Sequence, residues 1–180
     1  MRAHRVEDHV IDAALAGDED ALAEMTEAWL ATVVQWCVRL GGPSIDAEEA
    51  ATDVMMAFVR RHHTIHDRRR VAPWLFATCR RTVANYRRSA WWRRWLPGAS
   101  FDGASHELPD ADVDRAERAD RVFAALEGLK ANDREVLTLC YLEERSLLEA
   151  AEILDIPEGT VKSRLSTARD RFRRKYEAHP

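Results

Sequence analysis

The chain is 180 residues long, 46% hydrophobic, with only 7 Gly and 6 Pro, and its net charge is −4. That length fits one large or two small domains, and abundant Ala, Leu, Arg and Glu without alternating strand patterns predicts an all-α protein. Cys37, Cys79 and Cys140 are odd in number, far apart and set in apolar helical patterns, which favours core thiols over a disulfide framework or metal site.

No CxxC or HExxH is present, and no metal or cofactor is expected; nor do the His and Cys residues form a convergent catalytic constellation. The N-terminus has no apolar run of the signal-peptide kind, and the uncharged run containing Trp29 to Val38 is too short to span a bilayer. A reduced cytoplasmic setting without membrane insertion is the expectation.

Residues 6–16 predict a first helix, with Val6, Val10, Ala13 and Ala14 on one side and Gly17 closing it. Asp18 suits the N-cap of a second helix reaching about Leu40. Its apolar stripe is Leu22, Met25, Trp29, Val33, Trp36 or Cys37, and Leu40, and Gly41-Gly42-Pro43 stops it. Asp46, with a carboxylate three residues on at Glu49, starts a third helix running to about His62. That helix should bury Ala50, Val54, Ala57 and Phe58 and expose Glu48, Glu49, Thr52, Asp53 and Met56.

The stretch from His62 to Ala72 is polar, basic and unperiodic, which predicts a loop. His62, His63 and His66 lack both a fixed helical spacing and a nearby cysteine, so a metal site is not expected there. Pro73 is expected to open a fourth helix. Trp74, Leu75, Cys79, Val83 and Tyr86 supply its core side, and Arg80, Arg81, Arg87, Arg88, Arg93 and Arg94 accumulate elsewhere. Trp91, Trp92 and Trp95 could stack on bases or pack the helix end, and packing is expected for at least two of them.

From Pro97 to Asp114, Gly, Ser, Pro and Asp replace periodic apolar residues, predicting a flexible acidic linker. Two helical patterns follow, one near Arg115 with Val122, Phe123, Leu126 and Leu129. The other begins at Asp133 with Val136, Leu137, Cys140 and Tyr141.

Two more helices flank a tight break at Asp155-Ile156-Pro157. In the first, Leu147, Leu148, Ala151 and Leu154 recur at helical spacing, with Ala150 and Ile153 widening the stripe. In the second, Val161, Leu165, Ala168 and Phe172 form the buried face, and Pro157 suits the first turn. The remaining faces carry Lys162, Ser163, Arg164, Ser166, Thr167, Arg169, Arg171, Arg173 and Arg174, with the small residues Gly159, Ser163 and Ser166 near the start. This pattern predicts a helix-turn-helix whose second helix can enter a major groove. An ordinary helical hairpin with a solvated basic face would share the spacing.

Charge is strongly segregated. Residues 1–59 carry 3 Lys/Arg against 12 Asp/Glu, residues 60–94 carry 11 against 1, residues 95–158 carry 6 against 16, and residues 159–180 carry 7 against 2. Two basic blocks in an acidic chain suggest two nucleic-acid contacts and argue against indiscriminate DNA coating.

The run EAAEILDIPEGTVKSRLSTARDRFRR, and Pro157 to Leu165 above all, closely resembles the DNA-binding C-terminal domain of bacterial sigma factors of the extracytoplasmic-function type. Asp155 stands where that family usually has Gly, and Asp tolerates a left-handed turn better than most residues. DAEEAATDVMMAFVRR resembles the sigma helix that docks on the polymerase clamp. There Ala47, Glu48 and Val54 match, Glu49 and Asp53 are conservative, and Thr52 and Met55 replace the usual Gln and Phe. The Trp-Leu pair opening an arginine-rich helix resembles the element that reads the −10 promoter region, with Arg81 and Asn85 in place of the usual Asn and Asp.

The resemblance implies a sigma region 2-like bundle over residues 1–96, a linker over 97–114 and a region 4-like helix-turn-helix over 115–180. It implies clamp docking through Glu48, Glu49, Thr52, Asp53 and Met56. For the −10 region it implies His63, His66, Arg68, Arg69, Arg70, Arg80, Arg81, Asn85, Arg87 and Arg88. For the −35 element it implies Lys162, Ser163, Arg164, Ser166 and Thr167, with Arg171 and Arg173 on phosphates. The partners implied are core RNA polymerase (clamp and flap), promoter DNA and an anti-sigma factor. A stand-alone helix-turn-helix regulator, or a sigma mimic that sequesters a regulator, remains the alternative.

Overall fold

The computed structural model describes residues 6–95, apart from the side chains of 91–95, and residues 121–178. The expected linker and the indoles of Trp91, Trp92 and Trp95 therefore lie outside the described residues.

Each helix starts and stops where local chemistry requires. Helix α1 (Asp8–Ala16) ends at Gly17, whose φ of 96° lets its N–H turn back to the carbonyls of Ala13 and Ala14. Asp18 then caps α2 (Glu19–Gly41), its carboxylate accepting from the Ala21 N–H at 2.9 Å. A 3-10 turn (Gly42–Ser44) absorbs Pro43, and Asp46 caps α3 (Ala47–Arg61) by accepting from the N–H groups of Glu48 and Glu49.

The segment after α3 is more ordered than its composition predicts. It forms two 3-10 turns, His62–Thr64 and Arg68–Arg70, the second capped by Asp67, which accepts from the Arg69 N–H. Helix α4 (Val71–Trp95) starts two residues before Pro73. Proline is tolerated there because N–H groups in a helix's first turn have no intrahelical partner.

Helices α1 to α4 surround Trp36, Met25, Phe58, Leu75 and Phe76, all fully buried. The Trp36 and Phe76 rings meet edge-on at 5.1 Å, and Phe58 meets Trp74 at 6.0 Å. Cys37 and Cys79 are buried in this core, Cys140 is half-buried, and all three thiols are free. A hydrogen bond that the Cys79 thiol donates to neighbouring Cys37, reinforced by burial, holds the Cys79 pKa well above its usual value.

The second module comprises helical residues 121–127 (α5), α6 (Ala131–Leu137), a π-helical turn (Thr138–Leu142), α7 (Leu147–Leu154) and α8 (Glu158–Glu177). Asp133 lies inside the first turn of α6 rather than at its cap, which is Lys130. The π turn widens the backbone and shifts the register, so Leu139 is buried while Tyr141, expected inside, is 53% exposed. Leu148 is likewise outside the predicted stripe at 60% exposure, because α7 turns Ala150, Ala151, Ile153 and Leu154 inward.

Asp155 adopts the left-handed conformation (φ 55°, ψ 48°) at the break between α7 and α8, as its chemistry allows, and Pro157 takes the N-cap of α8 rather than its first turn. Among the described residues there is no strand, and no helix is long and apolar enough to cross a membrane.

The two modules share a core. Val136, Leu139, Ala150, Ala151, Ile153, Leu154 and Val161 join the buried cluster of α1–α4. Leu126, Leu129, Leu137 and Ala168 form a smaller cluster internal to the second module, with Val122, Leu165 and Phe172 packed on it. The fold therefore seats α7 directly against α4.

Helix α7 also carries a capping box that the sequence reading overlooked, although Ser146-x-x-Glu149 was visible. The Ser146 hydroxyl accepts from the Glu149 N–H at 3.2 Å, and the Glu149 carboxylate accepts from the Ser146 N–H at 2.9 Å. That N–H holds the Glu149 pKa below the usual carboxylate value. The stabilisation is present above the ordinary Glu pKa and is lost as pH falls through the depressed folded value. Ser146→Ala should lower the unfolding free energy by about 1 kcal/mol. Urea titration at neutral pH checks this, and the deficit should narrow in acid as Glu149 protonates.

Candidate nucleic-acid interface

The exposed face of α3 is acidic because its apolar residues are spent inward. Ala47, Ala50, Ala51, Val54, Met55 and Phe58 are buried, leaving Glu48, Glu49, Thr52, Asp53 and Met56 together outside, as predicted. Asp53 accepts a hydrogen bond from the Tyr86 hydroxyl at 2.9 Å, which ties this face to α4. Burial and that carboxylate raise the Tyr86 pKa, so its phenol stays protonated and donating.

Between α3 and α4, His63, His66, Arg68, Arg69 and Arg70 are all exposed. Arg68 pairs with Asp8 and Asp12 of α1, each at 3.0 Å, and Arg70 lies 3.7 Å from Asp155. Among the described residues no group of three or more His, Cys, Asp or Glu side chains could hold a metal.

Helix α4 divides its arginines between two faces. Successive residues turn by about 100°, so Arg81, Asn85 and Arg88 share one face while Arg80 and Arg87 share another. Arg81, Asn85 and Arg88 are exposed, with Arg88 donating to the Asn85 side-chain oxygen. Arg80 and Arg87 instead point into protein. Arg87 donates to the Gly41 carbonyl at 2.7 Å, and the Arg80 Nε lies 2.7 Å from Glu135 of α6. Of these five −10 candidates, Arg80 and Arg87 have partners within the chain and Arg81, Asn85 and Arg88 face solvent.

On α8, Val161 and Ala168 are buried and Leu165 and Phe172 half-buried, which turns Lys162, Ser163, Ser166, Thr167 and Arg173 outward. Ser163 donates to the Thr160 carbonyl and Thr167 to the Ser163 carbonyl. A methyl group placed on Gly159 would meet nothing within 4 Å, so nothing inside the chain requires glycine there. Arg164 is half-buried and contributes to the positive field around Glu135.

Arg171, expected on phosphates, already has a partner within the chain. It donates to the buried Asp133 carboxylate at 2.7 Å and staples α8 to α6. Arg173, by contrast, makes a looser contact with Asp170 at 3.3 Å and stays exposed. Arg134 is buried and donates to the carbonyls of Glu127 and Leu129 at the end of α5. Burial and the neighbouring Arg87 lower its pKa to about 10.

Two recurring domain families fit this division. Residues 25–93 match Sigma-70 region 2, and residues 119–172 match Sigma-70, region 4. The chain is 30% identical to the ECF RNA polymerase sigma factor RpoE of Cereibacter sphaeroides, an alignment covering 87% of this chain and 86% of that protein. The chain belongs to the ECF RNA polymerase sigma factors. It is also 29% identical to SigW of Bacillus subtilis, over 88% of this chain and 90% of that protein.

The fold of this alternative sigma factor is similar to that of two solved structures. One is CnrH in complex with the cytosolic domain of CnrY, with a TM-score of 0.69, 21% identity, and 96% and 97% of the two chains covered. The other is the sigma factor RpoE of Bartonella quintana in complex with the anti-sigma factor NepR, with a TM-score of 0.64, 21% identity, and 88% and 98% covered.

The two arginines near the end of α8 should behave differently. Arg171→Ala leaves Asp133 buried without its partner and should cost about 1–3 kcal/mol of stability. Arg173→Ala should leave stability nearly unchanged. Chemical denaturation of both variants tests this, and equal stabilities would remove the staple.

Proposed function

We propose that this sigma factor binds core RNA polymerase and directs initiation from its own promoters through three surfaces. Residues 1–96 form the polymerase-docking and −10 module, 97–114 the flexible linker and 115–180 the −35 module. Glu48, Glu49, Thr52, Asp53 and Met56 dock on the clamp. His63, His66, Arg68, Arg69 and Arg70 act with Arg81, Asn85 and Arg88 on the −10 region, joined by Arg80 and Arg87 once those are released.

At the −35 element, Lys162, Ser163, Arg164, Ser166 and Thr167 face the groove or nearby phosphates. Arg173 positions the helix on the backbone, and Arg171 fixes the angle at which α8 is presented. The chain supplies no catalytic group, since phosphodiester chemistry belongs to the polymerase, and it acts in the cytoplasm. Polymerase and an anti-sigma protein are its macromolecular partners, a reading to which the RpoE–NepR complex lends support.

The observation that carries this proposal is the open strip on α8. Its small and cationic residues are exposed together while Val161 and Ala168 anchor the opposite side. A surface of small residues permits close approach to base edges, and flanking cations draw the phosphates in.

The direct test is run-off transcription with purified chain and core polymerase, which should yield RNA from a defined start. Failure to associate with core, or association without initiation, overturns the reading. Lys162→Ala should weaken −35 binding and reduce the slope of log affinity against log salt by about 1. Glu48→Lys should reduce co-purification with core polymerase while leaving helicity intact.

A further inference from the structure

A cavity of about 230 Å³ lies between α4 and α6, far larger than the ~15 Å³ that one water needs. Leu40, Val83, Ala84 and Ala131 give it an apolar wall, and Arg80, Arg87, Arg134 and Glu135 supply the rest. Ala84 and Ala131 are exposed, so the cavity opens to solvent.

Two charged side chains on its α6 side are buried but incompletely satisfied. Arg134 is 6% exposed and Glu135 is 4% exposed. Arg134 donates through Nη1 to the carbonyls of Glu127 and Leu129, but its Nε has no partner among the described residues. Glu135 holds the Arg80 Nε at 2.7 Å through Oε1, while its Oε2 has no partner among the described residues. Buried polar atoms left in that state are uncommon and costly. The cavity lining therefore leaves one buried donor and one buried acceptor over.

Its electrostatics point the same way. Burial, then the facing Arg87 guanidinium, lowers the Arg134 pKa to about 10, against the opposite effects of Glu127 and Glu135. Arg80, Arg87 and Arg134 set against Glu127 and Glu135 leave one positive charge in excess. A guanidinium carries five N–H groups, so Arg80 and Arg87 keep donors beyond their bonds to Glu135 and the Gly41 carbonyl. A small monoanion meets these demands if it also carries a hydroxyl for Glu135. Sulfate has no such proton, whereas a singly ionised phosphate does.

We propose that this cavity is a binding site for a phosphate group, as free phosphate or a small phosphate monoester. Arg134 and Arg87 donate to its unprotonated oxygens, and its remaining hydroxyl donates to Glu135 Oε2. The charge-assisted bonds hold the anion, and the Glu135 contact rejects anions with no proton to give.

The test is isothermal titration calorimetry of the full chain with inorganic phosphate and with sulfate at about pH 6, near the second phosphate pKa. Phosphate should bind roughly tenfold more tightly than sulfate, as one charge-assisted hydrogen bond predicts. Glycerol phosphate, titrated in parallel, distinguishes free phosphate from a monoester, and binding of either supports the site. Sulfate binding as tightly as phosphate, or no binding by either phosphate compound, overturns it.

Two variants separate a built site from general attraction to a basic surface. Ala84→Glu sets a negative charge at the exposed rim and should weaken phosphate by roughly tenfold. Glu135→Gln replaces the acceptor with an amide that can donate, so the preference for phosphate over sulfate should disappear. Wild-type phosphate affinity in Ala84→Glu overturns the site, as does an unchanged preference in Glu135→Gln of native helicity. If Glu135→Gln loses helicity, the Ala84→Glu result decides alone.

Discussion

The pairing of Arg80 on α4 with the buried Glu135 on α6 ties together most of what is unusual in this molecule. It lies where the apolar interior of one module continues into the other, with Val136 and Leu139 just beyond it on the same segment. A buried ion pair contributes little net stability against apolar residues of the same shape, but losing one partner leaves an uncompensated charge. Such a contact specifies an arrangement more than it strengthens it. Here the arrangement places α7 on the basic flank of α4.

Helix α4 consequently has three duties. Leu75, Phe76, Cys79 and Val83 fill the first core. Arg81, Asn85 and Arg88 remain open to solvent. Arg80, together with Arg87 held by the Gly41 carbonyl, faces the region where the modules meet. An α-helix has room for all three because residues one position apart point about 100° from each other. The segregation of charge along the chain is visible at this contact, where Arg70 and Arg80 of the basic stretch face Asp155 and Glu135 of the acidic one.

Helix α8 follows the opposite strategy. Few of its residues are buried, and the helix is held by Val161 and Ala168 together with the Arg171–Asp133 staple. A helix so lightly held keeps most of its circumference for a partner, and the staple fixes its angle where apolar contact is sparse. Gly159, with open space around it, lies in the first turn of α8.

Much of this was legible in the residues themselves. Asp18, Asp46 and Gly17 mark helix ends through hydrogen bonds spanning two to five residues, and burial at Ala50, Val54, Phe58, Val161 and Ala168 follows from a period of 3.6. The acidic face of α3 followed from the same local patterns, and both domain families from the resemblance of short motifs to known ones. What the order of residues did not reveal was which arginines are free. Arg80 and Arg81 look alike in a basic run, as do Arg171 and Arg173, yet one of each pair finds a carboxylate 55 or 38 positions away. Local sequence determines where a helix begins and which side is apolar, because those depend on neighbours within a turn or two. Which charged side chain remains available depends on the docking of distant helices, and only the tertiary structure decides that.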